Sequence, residues 1–88
     1  MDFYGKVKEV MEPVSGQSEK GLWVRRTVVL ESFDNPQNCL ALDALNDRAQ
    51  KLDDLTPGMA VKATFGVNSR KGIQGWFTSV NLWDITKL

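Results

Sequence analysis

Across residues 59–67 the chain alternates without a break: Met59, Val61, Ala63, Phe65 and Val67 are separated by Ala60, Lys62, Thr64 and Gly66. Successive side chains of a strand point to opposite sides, so this pattern fits a strand with one face against a core. Residues 22–31 read the same way. Val24, Val28 and Leu30 share one parity and are expected inside, while Trp23, Arg25, Thr27, Val29 and Glu31 share the other and are expected outside.

The remaining segments arrange themselves around these two strands. Residues 3–11 mix Phe3, Tyr4, Val7, Val10 and Met11 with Lys6, Lys8 and Glu9, as a half-buried first strand would. Val7 and Val10 differ in parity, so one face takes both only through a bulge. Residues 12–21 carry Pro13, Ser15, Gly16 and Ser18 and read as a hairpin-type loop. Residues 32–37 read as a turn, and residues 38–43 as a short third strand with Leu40 and Leu42 inward. Leu45, Ala49, Leu52 and Leu55 then recur at helix spacing, predicting a short amphipathic helix that ends near Asp54 before the turn Thr56-Pro57-Gly58. After the alternating fourth strand, residues 68–72 are expected to turn and residues 73–85 to form the last strand. The apolar parity of that strand switches between Trp76, Val80 and Leu82 and the set Phe77, Trp83 and Ile85, which calls for burial on both faces or a second bulge.

Three strands, a helix and two strands in 88 residues is the element order of an all-β, five-stranded OB-fold barrel with one short helix between strands 3 and 4. An SH3-like barrel, the nearest rival, normally lacks that helix. A hydrophobic content of 42% supports one core, hence one domain over residues 1–88, and excludes a multidomain enzyme. The lone Cys39 has no partner for an internal disulfide and, with no histidine in the chain, no base to activate it. Neither a nucleophile–base pair nor a zinc site can be assembled, so neither an enzyme nor a bound cofactor is expected. Asp43, Asp47, Asp53 and Asp54 straddle the helix and are expected to solubilise and cap it rather than hold a metal. There is no apolar run of about 18 residues, and Met1-Asp2-Phe3-Tyr4-Gly5 has no leader character, which points to the cytoplasm.

Eleven basic and eleven acidic residues cancel overall but are unevenly placed. Residues 31–58 hold six acids and two bases, whereas residues 59–88 hold four bases and one acid. In an OB fold the binding surface lies on strands 2 and 3, between the loops joining strands 1 to 2 and 4 to 5. Lys20, Trp23, Arg25 and Thr27 fall at the first loop and strand 2, and Arg70, Lys71 and Trp76 at the second loop and its exit. Rings for stacking beside cations for phosphates are what a single strand of nucleic acid requires, with modest, salt-sensitive affinity. These seven residues are the expected site, for single-stranded DNA and with RNA not excluded. Trp76 and Phe77 must point to opposite faces, and Trp76, beside the loop, is read as the exposed ring. Arg26 has core parity and should sit at the barrel mouth with its head in solvent. Trp83 is read as core or interface. The alternative is a protein-interaction module in which Trp23, Trp76 and Trp83 form the contact of a dimer or tetramer.

The segments Met1-Asp2-Phe3-Tyr4-Gly5-Lys6-Val7, Gly21-Leu22-Trp23-Val24-Arg25-Arg26, Val28-Val29-Leu30-Glu31, Leu55-Thr56-Pro57-Gly58-Met59-Ala60-Val61 and Gly75-Trp76-Phe77-Thr78-Ser79-Val80 resemble a family of small bacterial OB-fold proteins of single-stranded-DNA-binding type, long catalogued as a domain of unknown function. The resemblance spans nearly the whole chain. It implies a non-enzymatic, oligomeric OB fold that binds single-stranded DNA, and places that role on Trp23, Arg25, Trp76 and Phe77. The chain departs from the family's pattern at Asp43-Ala44, where an aromatic residue is often found, implying one stacking platform fewer.

Overall fold

The computed structural model describes residues 1–88 as six strands and one short helix. The strands are β1 (Asp2–Val10), β2 (Val14–Ser18), β3 (Gly21–Ser32), β4 (Cys39–Leu45), β5 (Ala60–Gly72) and β6 (Gly75–Lys87), and a 3₁₀ helix (Asn46–Leu52) follows β4. Five of them close a barrel in the order β1-β3-β4-β6-β5, with β5 returning to β1 and β4 running parallel to β6. This is the OB-fold topology. The strand between β1 and β3 is the addition: residues expected as a loop instead pair with β3 from Val14↔Arg25 to Ser18↔Gly21. Ser18 and Gly21 close a two-residue turn, and the positive φ of Gly21 (115°) suits a residue without a Cβ.

Closure depends on β1 pairing on both edges, with β3 through residues 5–10 and with β5 through residues 2–6. Gly5 pairs with both Ser32 and Val61, and a Cβ there would collide with the carbonyl of Glu31. The bulge demanded by Val7 and Val10 lies between Val7 and Glu9, after which Val10 pairs with Val28 and packs against the core. The parity switch of the last strand has the same cause. Phe65 pairs with Leu82 but Thr64 pairs with Asp84, leaving Trp83 as the extra residue of a bulge.

Twelve buried apolar side chains fill the barrel, among them Val7, Val28, Leu30, Leu42, Val61, Phe65 and Leu82. The helix closes one end with Ala49 and Leu52, followed by Leu55. These three recur every third residue, the repeat of a 3₁₀ rather than an α-helix, so they stack on one side. Leu45 breaks that spacing and belongs to β4, exposed, instead of entering the core as expected. Two expectations failed because strands outrun the barrel. Val24 has core parity but lies on the β2–β3 ribbon, where it remains 37% exposed. The turn expected at residues 68–72 is strand, since β5 and β6 pair out to Gly72↔Gly75 with only Ile73 and Gln74 between them. The two ribbons stretch the molecule to 39 Å along its longest axis.

Candidate nucleic-acid interface

Cross-strand register assigns each residue to the inner or outer face. Thr27 of β3, Asp43 of β4, Asn81 of β6 and Gly66 of β5 are neighbours in one row on the outside of the barrel. Along β3 the same face continues through Arg25, opposite Leu45, to Trp23, opposite Gly16 of β2. Trp23 is four residues, about 13 Å, from the central row. Along β6 in the other direction it continues through Ser79 to Phe77, opposite Arg70. Because β6 runs parallel to β4 and antiparallel to β3, the two loop segments bracket this face from opposite ends rather than meeting on it.

Three aromatic rings on the face share one packing device. A Cβ added at Gly16 would run into the Trp23 indole, one at Gly72 into the Phe77 ring, and one at Gly66 into the Trp83 indole. Each ring therefore rests on the bare backbone of the adjacent strand. Phe77 and Trp83 still expose 55% and 50% of their surface, and Trp23 is half-buried. The sequence marks Trp23 and Phe77 but not the glycines beneath them, which become meaningful only once the register is known.

The charges sort themselves by partner. Arg25 is exposed and has no carboxylate within ion-pair distance, leaving its guanidinium free for a phosphate. Its sequence neighbour Arg26 turns inward and is spent on the fold: Nε donates to the Met11 carbonyl at 2.9 Å and Nη1 to Asp53 Oδ1 at 2.9 Å. The Thr27 hydroxyl donates to Asp43 Oδ1 at 2.7 Å. Its only proton is thus committed, which removes Thr27 as a donor to phosphate, contrary to expectation. Lys20 occupies the exposed β2–β3 turn, where its backbone N–H donates to Ser18 Oγ at 3.3 Å. Arg70 and Lys71 are exposed on the β5–β6 ribbon, but on opposite faces.

The choice of Trp76 as the groove-facing ring needs correcting. Trp76 pairs with Lys71 on the opposite side of the ribbon, and it is Phe77, with Arg70, that shares the face of Asn81 and Asp43. Nor is either ring core, at 70% and 55% exposure, because the ribbon has left the barrel and has no core to enter. Trp83, read as core or interface, is half-exposed on the outer surface. Cys39 is an exposed β4 residue whose Sγ lies 3.8 Å from Lys8 Nζ. Asp43 and Asp53 are engaged as described, and no three carboxylate or thiol side chains converge as a metal site would require. No helix is long and apolar enough to cross a membrane.

A family model described as a domain of unknown function, DUF3127, matches residues 2–86. Among solved structures, the crystal structure of a small single-stranded DNA-binding protein from Streptomyces coelicolor is similar to this one, with a TM-score of 0.52 and 16% identity over 99% of this chain and 91% of that chain. A search of curated proteins found no match.

Proposed function

The chain belongs to the DUF3127 family, and on that premise we propose that it is a single-stranded DNA-binding module of the cytoplasm, largely indifferent to sequence and making no covalent change to its ligand. The observation that carries this reading is the pairing of Trp23 with Arg25: an indole seated on Gly16 and an unpaired guanidinium, both facing outward on the strand where OB folds bind oligonucleotides. The solved structure with the similar fold is that of a protein whose name states the same activity. Bases stack on Trp23 and Phe77 while Arg25, Arg70 and Lys20 neutralise phosphates, and the 26 Å or so from ring to ring along the strands lets both engage one strand. With zero net charge there is little long-range steering, so affinity is modest and salt-sensitive.

Titrating intrinsic tryptophan fluorescence with oligo-dT at low and high salt tests the proposal. Quenching that weakens as salt rises supports it, and no response in dilute buffer refutes it.

A second reading rests on the exposed apolar side chains of the two ribbons: Leu22 is 82% exposed, Trp76 70% and Ile73 fully so. Surfaces of that kind suit a homo-oligomer contact, on the back of the ribbons and away from the proposed groove. Sedimentation of the free protein distinguishes a monomer from a dimer or tetramer.

A further inference from the structure

The face that carries Trp23 and Arg25 holds a third ring. Trp83 is the bulged residue of β6, and its indole lies on Gly66 of β5. From the central row of Thr27, Asp43 and Asn81, β6 advances in the same direction as β4, so Trp83 lies toward the Trp23 end of the face, level with Leu45 and Arg25. Two strand spacings, roughly 10 Å, separate that position from β3. The bulge explains why Trp83 faces outward together with Asp84, instead of alternating with it.

Asp84 would be a poor neighbour for a polyanion, but its carboxylate is occupied. Lys51 of the 3₁₀ helix donates to Asp84 Oδ1 at 2.7 Å. The other acid on this part of the face, Asp43, is held by the Thr27 hydroxyl. The ring is thus fixed from below by a glycine, open above, and flanked by a neutralised carboxylate and an unpaired arginine. A ring needed only to cover Gly66 has no use for the last two features.

We propose that Trp83 is a base-stacking platform of the same oligonucleotide site, with Gly66 setting the tilt of its ring and Lys51 cancelling the adjacent negative charge. The proposal rests on the single-stranded DNA-binding reading above. It assigns a role to a residue that the sequence alone left as core or interface. Trp83 touches the base. Gly66 and Lys51 are positioning residues.

The test measures anisotropy of a fluorescein-labelled oligo-dT against wild type, Trp83→Leu and Trp83→Phe. The Leu variant still covers Gly66 but offers no π face, so its affinity falls roughly 5- to 150-fold, while the Phe variant retains most of the affinity. Binding by the Leu variant at wild-type strength overturns the assignment. Absence of binding by the wild type itself overturns the parent reading instead, so the two failures are distinguishable. A measurement on the unaltered protein covers the case in which the Leu variant misfolds. The indole N–H resonance of Trp83, assigned from the spectrum of the Phe variant, shifts on addition of oligo-dT; a resonance that stays put while binding saturates refutes the proposal.

Discussion

Arg25 and Arg26 are adjacent and carry the same charge, yet the structure gives them opposite tasks, and substituting each with alanine separates the fold from the site. Arg26 bonds to the Met11 carbonyl and to Asp53, joining the start of the β2–β3 ribbon to the helix. A hydrogen bond from a charged donor contributes about 1.5–3 kcal/mol. The lower end applies here, because both bonds lie near solvent. The ion pair itself adds at most about 1 kcal/mol, since the Asp53 side chain is 65% exposed. Arg26→Ala should therefore destabilise by about 1.5–2.5 kcal/mol, and Asp53→Ala by less than about 1 kcal/mol. For a domain of this size roughly 4–8 °C of Tm corresponds to each kcal/mol, so Arg26→Ala should lower Tm by about 10 °C and Arg25→Ala by little. In oligo-dT binding measured from 50 to 300 mM salt the order reverses. Arg25→Ala should flatten the slope of log K against log salt by about 0.7, one phosphate contact on a single strand, whereas Arg26→Ala leaves it unchanged. A slope lowered equally by both, or by Arg26→Ala alone, would refute the division of labour.

Three other outcomes follow from the same contacts. Asn46 adopts a positive φ of 53° and its Oδ1 accepts the Val24 N–H at 3.1 Å, fastening the β2–β3 ribbon to the start of the helix. In urea melts Asn46→Ala should lose about 1–3 kcal/mol and Asn46→Gly less, and equal losses would show that the backbone conformation contributes nothing. Leu42→Ala removes a fully buried side chain of the barrel and should cost about 2–5 kcal/mol at an unchanged m-value; a loss below 1 kcal/mol would mean that the barrel interior is not close-packed. The hydrogen bond from Lys51, then the Ile85 backbone N–H and the Lys51 charge, lower the Asp84 pKa below its ordinary 3.8. A depressed carboxylate stabilises the fold above its unfolded pKa and ceases to do so as pH falls through the folded one, so the pair's contribution is intact at neutral pH and fades below about pH 4. NMR titration of Asp84 in Lys51→Met should move its midpoint upward, and an unmoved midpoint would remove Lys51 as the cause.

The barrel was legible in the sequence wherever one strand face meets the core. Alternation at Val61, Ala63 and Phe65 located β5, the parity clash at Val7/Val10 foretold the first bulge, and the clash along the last strand left a bulge as one of two ways to resolve it, the one the structure takes. What the sequence hid lies beyond the core. On the ribbons both faces meet solvent, so Val24, Trp76 and Phe77 keep a pattern that no longer reports burial, and a strand through residues 68–72 resembles a turn. For the candidate site, what was legible is the face each residue occupies, and to the same depth. Trp23 and Arg25 were placed correctly by parity on a core-facing strand. Thr27 was not disqualified, because its bond to Asp43 is a tertiary fact. Trp76 was preferred to Phe77 for its place beside the loop, although its parity is that of the core-facing Leu82, and on a ribbon with no core beneath it both rings are exposed. Gly16, Gly66 and Gly72, the glycines under the three rings, stand in no sequence pattern a linear reading could use, and only strand pairing reveals them.

The account stands most directly on where an oligonucleotide lies. Photocross-linking with an oligo-dT carrying 5-iododeoxyuridine, followed by mass spectrometry of the linked peptides, reads that out residue by residue. Adducts are predicted at Trp23 of β3 and Phe77 of β6, with Trp83, also on β6, lying between them along the strand direction. Adducts at Leu22 or Trp76 in their place, or none under conditions that cross-link a known single-stranded-DNA binder, would contradict it.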